Sequence, residues 1–362
     1  MGKNKIKLSK FPFVSVCTPT FNRRPFIPII IKCFENQTYP RDKMEWIIVD
    51  DGTDKIEDLV ANLPYVRYFK YDEKMTLGKK RNISNEKAKG DIIVYMDDDD
   101  YYPPERVKHA VDKLRESKAL CAGSSAMFIY FKHINKMLQF GPYGPNHATA
   151  ATFAFKRELL KDTKFDEESS VAEERKFLKE YTVPFVQLES IKSILVFSHN
   201  HNSFDKKELL QQLPNPHVHE TPLFPKDLVL QPDILKFFME DIDSLLDNYD
   251  PGKPDNKPDV KRQLAEIKIE RENKMQELMK QQSDYQTLMN KVTMMNNPEM
   301  IQKQINEQSM IIQQLMFENN HLKEQVSYLN NKITELIKAQ VAKRKEEKKI
   351  ELSNNGPTIN II

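Results

Sequence analysis

Four consecutive carboxylates, Asp97-Asp98-Asp99-Asp100, follow the apolar run Ile92-Ile93-Val94-Tyr95-Met96. Adjacent carboxylates repel one another, and a run of four at the end of a buried strand is costly unless a cation neutralises it. A divalent metal held by oxygen ligands does so, which points to a phosphorylated substrate. A second acidic pair, Asp50-Asp51, closes the apolar stretch Trp46-Ile47-Ile48-Val49. A third polar cluster, Thr18-Pro19-Thr20, closes Phe13 to Cys17. Carboxylates in such positions also accept hydrogen bonds from the imide of a base or from ribose hydroxyls. Further along stands a third acidic group, the pair Glu173-Glu174. His199 and His201 follow the strand-like run Ile194 to Phe197, and His147 lies in a Gly-Pro-Asn loop.

The elements that must position these groups alternate over residues 11–205. Strands are expected at Phe13–Cys17, Trp46–Val49, Val66–Tyr71, Asp91–Met96 and Ile194–Phe197. Helices are expected at Pro25–Asn36, Lys79–Lys89 and Pro104–Ser117, with prolines in two first turns and Gly90 as a stop. This alternation predicts an α/β fold: a mostly parallel sheet with helices on both faces. Such sheets bind ligands at the carboxyl ends of their strands, where all three polar clusters fall.

The chain has 362 residues, a formal net charge of +2 and 39% hydrophobic residues. That balance argues against nucleic acid as a partner. The cluster Lys343-Arg344-Lys345, diluted by Glu346 and Glu347, reads as a solvated helix end. Cys17, Cys33 and Cys121 have neither metal-binding spacing nor the count of a disulfide framework, so free buried thiols are expected. The basic tail, residues 1–10, lacks the apolar core of a signal peptide. Ile6 stands where a myristoylation motif wants Ser or Thr. No run is long enough to span a membrane. A cytoplasmic location is the expectation, and the sequons at Asn36 and Asn82 then read as chance.

Residues 206–260 are rich in proline and are read as an arm or linker carrying one short helix, Asp233 to Leu246. A helical stalk is expected over 261–295, broken at Asn296-Asn297-Pro298. A heptad register follows over 299–348. Its a positions are Ile305, Ile312, Asn319, Val326 and Ile333, and its d positions Ile301, Gln308, Leu315, Leu322, Leu329 and Leu336. β-Branched residues at a, leucine at d and one asparagine at a favour a parallel dimer. Residues 349–362 are read as a disordered tail.

Several segments in order resemble family 2 glycosyltransferases: Val14-Ser15-Val16-Cys17-Thr18-Pro19-Thr20-Phe21-Asn22-Arg23, Gln37-Thr38-Tyr39-Pro40, Trp46 to Gly52, Gly78 to Asn82 with Ala88 to Asp91, and Tyr95 to Asp100 with Pro104 beyond. The resemblance covers about residues 12–205. It implies a GT-A fold and an inverting, metal-dependent transfer of a sugar from a nucleotide-sugar donor, UDP-linked, to a hydroxyl of a glycan or protein acceptor. By it, Asp99, Asp97 and His199 hold Mn2+ or Mg2+ in a DxD-type site. Asp100 or His201 are alternatives to them. Thr18, Pro19, Asn22, Asp50, Asp51, Arg81 and Asp98 bind the nucleotide sugar, with Asp98 at the ribose. Glu174 stands where the family carries its base, with Glu173 beside it, and His147 falls in an acceptor-side loop. Two other readings stay open: a nucleotidyltransferase, although Arg23-Arg24 lack the glycines of its phosphate loop, and an inactive sugar-nucleotide scaffold acting through its coiled coil.

Overall fold

The computed structural model describes residues 10–212, 214–294 and 298–354. Within residues 1–271, one packed unit, the strands are β1 (Val14–Thr20), β2 (Met44–Asp50), β3 (Val66–Lys70), β4 (Ile92–Tyr95), β5 (Cys121–Gly123), β6 (Met127–Phe131), β7 (Lys136–Phe140), β8 (Ala154–Lys156), β9 (Phe185–Gln187), β10 (Leu195–Ser198) and β11 (Val218–Glu220). The helices are α1 (Ile27–Glu35), α2 (Glu57–Val60), α3 (Leu77–Lys87), α4 (Arg106–Glu116), α5 (Glu174–Phe177), α6 (Pro225–Leu228), α7 (Pro232–Lys236), α8 (Ile242–Asp247) and the start of α9 (Pro258–Met294).

The main sheet has the order β3-β2-β1-β4-β8-β5-β9. The pairs β3–β2, β2–β1 and β1–β4 are parallel, and β8 runs antiparallel between β4 and β5. Alternate side chains enter opposite cores, as a two-residue repeat requires of a strand covered on both faces. Val14, Val16, Trp46, Ile48, Ile92 and Val94 join one core, and Cys17, Ile47, Val49, Ile93 and Tyr95 the other. Chain order runs outward from β1 to β3 and then returns to β4 on the other side of β1, so the topological switch lies between β1 and β4. That is where an open α/β sheet forms its ligand crevice.

The sequence pattern did not reveal a second sheet, β10-β6-β7-β11, parallel only at β10–β6. A further difference concerns residues 206–260, which pack into the first core rather than forming a linker. Val229, Ile234, Phe238, Ile242 and Leu246 are buried there, and the rings of Phe238 and Phe197 stack with centroids 4.2 Å apart. The expected helix Asp233–Leu246 is α7 and α8 joined through a π turn at Phe237–Asp241. The prolines at 225, 232, 251, 254 and 258 enter first turns of helices, where a missing N–H costs nothing. Their density therefore marks several short helices and not an extended arm.

Residues 272–362 make the second unit, which contains most of α9 and all of α10 (Pro298–Asn354). The heptad residues Ile305, Ile312, Leu315, Leu322, Val326, Leu329, Ile333 and Leu336 are all exposed on α10. The expected break at Asn296-Asn297, most of the N-terminal tail and residues 355–362 lie outside the described residues; residues 349–354, expected in the disordered tail, continue α10. Among the described residues, no helix is long and apolar enough to cross a membrane. The three cysteines are buried and free, as expected.

Candidate active site

The carboxyl ends of β1 and β4 open into a cleft lined by Pro19, Phe21, Arg23, Lys80 and Asp97-Asp98-Asp99, with Ser203, Lys257 and Asp259 across it. The acidic run lies at the switch point of the sheet, as its position after β4 predicts.

The cations nearest this run belong to the chain itself. Arg81, on α3 and fully buried, turns both terminal nitrogens to Asp97, at 3.2 and 3.3 Å, and its Nε to Glu173 Oε1 at 2.8 Å. Its guanidinium also lies 4.5 Å from the centre of the Tyr95 ring. Arg23, also buried, is 3.6 Å from Asp98 and 3.3 Å from Asp99. Three expected site residues meet here. Arg81 is a buried clamp, with three of its five N–H groups on Asp97 and Glu173. Both Asp97 oxygens accept from Arg81, so a cation at Asp97 would share that carboxylate with the guanidinium. Glu173 is an anchor for the segment that carries Glu174.

Asp99 remains the carboxylate best suited to a cation. His199 Nε2 lies 3.5 Å from its Oδ2. Burial opposes ionisation of Asp99, but Arg23 and His199 hold its carboxyl well below the usual carboxylate range. His199 is itself pushed down to about 4 by burial, so the ring is neutral at physiological pH, with Nδ1 accepting the His201 N–H at 3.2 Å and Nε2 also 2.8 Å from Asn202 Nδ2. Burial and the Asp99 charge push Asp98 up to about 6 and Asp100 well above its ordinary value. Asp100 Oδ1 is buried without a hydrogen-bond partner. Adjacent carboxylates, of which Asp99 is the one held ionised, give oxygen donors of the kind that Mn2+ or Mg2+ takes. No group of three His, Cys, Asp or Glu is gathered as a metal site among the described residues, so protein atoms alone do not complete one. His201 does not join Asp99. Its carbonyl accepts from Arg23 at 2.8 Å, and its ring lies under Gly252 and Tyr249.

Several residues expected to line the nucleotide pocket serve the scaffold. Thr18 donates to the Met96 carbonyl at 2.6 Å and accepts from Trp46 Nε1 at 2.9 Å, tying β1, β2 and the end of β4 inside the core. Asp50 accepts from the backbone N–H groups of Gly52 and Ile56 and from the Tyr68 hydroxyl, at 2.8, 3.2 and 2.6 Å. Asn22 has φ 52°, the left-handed region that asparagine tolerates. Its amide donates to the Pro251 carbonyl at 2.9 Å, and its Oδ1 accepts from Asp54 N at 2.9 Å. Asp51 accepts from Lys80 Nζ at 2.8 Å and from Met75 N at 2.6 Å. Pro19 and Asp98 do line the cleft.

Glu174 opens the short helix α5 and is half-buried; Glu173, unlike it, is paired with Arg81. Burial, reinforced by the Glu173 charge, pushes its carboxyl up to about 7. A carboxylate near that value is poised to take a proton at neutral pH. The preceding loop is held against α3 by contacts that only a glycine permits. Gly78 N donates to Ser169 O at 2.9 Å, and a Cβ on Gly78 would meet the Asp166 carbonyl oxygen at 1.8 Å. His147 stacks on Tyr181 with centroids 5.3 Å apart and lies 5.1 Å from the Tyr143 ring. Asn82 is buried, with its amide donating to the Phe165 carbonyl at 3.1 Å, so its sequon is inaccessible in the folded chain. Sequence reasoning missed Lys80, Lys257 and the pairing of Arg23. Lone basic residues carry no periodic signal, and Lys257 is remote in the chain from the run it faces.

Residues 15–179 match the family described as Glycosyl transferase family 2. Over 134 residues, the chain is 28% identical to the poly(ribitol-phosphate) beta-N-acetylglucosaminyltransferase TarS of Staphylococcus aureus, covering 33% of this chain and 21% of TarS. It is 29% identical over 115 residues to the putative teichuronic acid biosynthesis glycosyltransferase TuaG of Bacillus subtilis, covering 29% of this chain and 43% of TuaG. The aligned stretches thus span well under two thirds of these relatives. Among solved structures, S. aureus TarS 1-349 in complex with UDP-GlcNAc is similar with a TM-score of 0.42 at 22% identity, over 52% of this chain and 59% of that one.

Replacing Arg81 by methionine strips the cation from Asp97 and the buried Glu173. The expected cost is about 3–5 kcal/mol, the usual penalty for breaking a buried ion pair. Urea denaturation measures it, and a loss below about 1 kcal/mol contradicts the clamp.

Proposed function

We propose, for a chain whose residues 15–179 are a family 2 glycosyltransferase domain, that it is an inverting glycosyltransferase moving a sugar from a nucleoside diphosphate, UDP in this reading, to a hydroxyl of a glycan or protein acceptor. The carrying observation is the acidic run at the switch point between β1 and β4, facing a cleft whose other walls hold cations. The donor lies along that cleft, with Pro19 against the nucleoside and Asp98 turned towards the ribose. The acceptor hydroxyl attacks the anomeric carbon while its proton passes to Glu174. The bond from that carbon to the diphosphate oxygen breaks, and the nucleoside diphosphate leaves with both electrons.

Asp99, with His199 beside it, would hold Mn2+ or Mg2+. When bound, that ion supplies Lewis-acid stabilisation of the leaving diphosphate. His199 Nδ1 accepts the His201 N–H at 3.2 Å. Ligation through Nε2 would move the ring proton to Nδ1, so the 199–202 turn must re-form its hydrogen bonds. Arg81 sets the distance between the two halves of the chemistry: it holds Asp97, at the donor cleft, and Glu173, next to the base, on one guanidinium.

The second unit is read as a parallel dimeric coiled coil over 299–348. The observation supporting it is the stripe of exposed isoleucine, valine and leucine along α10, which a partner helix would bury.

Because Glu174 acts as its carboxylate and that carboxyl titrates near 7, kcat/KM is expected to rise with pH and level off above about 7. Glu174→Gln should keep donor affinity and lose transfer by roughly 10²–10⁴-fold; normal turnover in a glycosyl-transfer assay would move the base elsewhere. Sedimentation of the full chain should give a dimer, and Leu322→Asp with Leu329→Asp a monomer. A monomeric wild type contradicts the coiled-coil reading.

A further inference from the structure

Each cation on the cleft but one is matched to a carboxylate. Arg23 pairs with Asp98 and Asp99, Lys80 with Asp51, and Lys74 with Asp259. Lys257 forms no ion pair among the described residues. It is 8% exposed, and its Nζ has one hydrogen-bond partner, the Ser203 hydroxyl at 2.7 Å; the face of Phe21 lies 5.9 Å away. Burial, and then the Arg23 charge, push this amine well below the ordinary lysine range; as an ammonium it carries three protons, of which two have no acceptor among the described residues. Burying such a group is costly unless an anion reaches it.

Lys257 is held firmly in this position. The segment that carries it is tied to the end of β1 through Pro251 O to Asn22 at 2.9 Å and Gly252 O to Arg23 at 3.3 Å. Tyr249 donates to Asp54 at 2.8 Å, and beyond the lysine Asp259 pairs with Lys74 and Ser170, while Gln263 accepts from Ser170 N at 2.8 Å. The lysine therefore faces Asp98 and Asp99 across the cleft from outside the matched domain, with protons to spare. We propose that Lys257 binds the diphosphate of the donor, as a cation contributed to the nucleotide-sugar site by the C-terminal segment of the packed unit. The diphosphate is the donor group that the acidic run repels, and a lysine opposite that run supplies the compensating charge as a point donor.

This rests on the nucleotide-sugar reading, and calorimetric titration of the full chain separates the two. The probes are UDP, GDP and CDP, each with its nucleoside, in the presence of Mn2+. The wild type should bind one diphosphate more tightly than its nucleoside. Lys257→Met should weaken that diphosphate about tenfold or more and leave the nucleoside unchanged, and Lys257→Arg should restore most of the affinity. Equal or tighter diphosphate binding by Lys257→Met overturns the proposal while leaving the donor reading intact. Equal weakening of diphosphate and nucleoside also overturns it, since the lysine would then only shape the pocket. A wild type that binds none of the probes overturns both. Should Lys257→Met fail to fold, Lys257→Gln carries the same comparison.

Discussion

One buried guanidinium ties the two halves of the site together. Arg81 is desolvated on α3, and it is tolerable there only because Asp97 and Glu173 share its charge. The strand end that carries the acidic run and the loop that leads into α5 are therefore not independent. Each is the counter-ion of the other's partner, and Tyr95 closes one face of the guanidinium. Glu173 is consumed in this clamp. Glu174, one residue on, is half-buried and outside this clamp, which is why the two neighbouring glutamates have different chemical characters.

A second layer of charge follows the same logic. Arg23 pairs with Asp98 and Asp99 from the β1 side, and Lys80 with Asp51. These pairs let a sheet with buried carboxylates at its ligand-binding end fold before any cation or donor arrives. The C-terminal part of the packed unit closes the arrangement through Asn22, whose left-handed backbone turns its amide to Pro251. Residues 249–263 thus belong to the wall of the cleft, well beyond the segment that matches the family.

The layout of β1, β2, β4 and their polar ends was legible in the sequence, because strands buried on both faces read as continuous apolar runs and their exits read as sudden polarity. The division of labour among the polar residues was not. Asp50, Asp51, Thr18 and Asn22 are the residue types that bind nucleotides, and they are equally the types that satisfy loop N–H groups and strand carbonyls; only coordinates separate the uses. The helices between 225 and 260 were hidden by prolines that lie in first turns yet look like a linker when counted. The small sheet β10-β6-β7-β11 was missed because its strands are short and two of its pairings join strands far apart in the chain. Glu174 was legible only by its resemblance; what the structure adds is that burial and the neighbouring Glu173 charge push its carboxyl up.

The central claim is that the acidic strand end, Arg81 and Glu174 form one nucleotide-sugar site. A screen of nucleotide sugars for donor hydrolysis by the purified full chain, with and without Mn2+, tests it most directly. The account predicts that a UDP-linked sugar is hydrolysed in the presence of Mn2+ and that Asp99→Ala abolishes this without loss of folded structure. Absence of hydrolysis of every nucleotide sugar by a folded wild type, or full activity in Asp99→Ala, would contradict it.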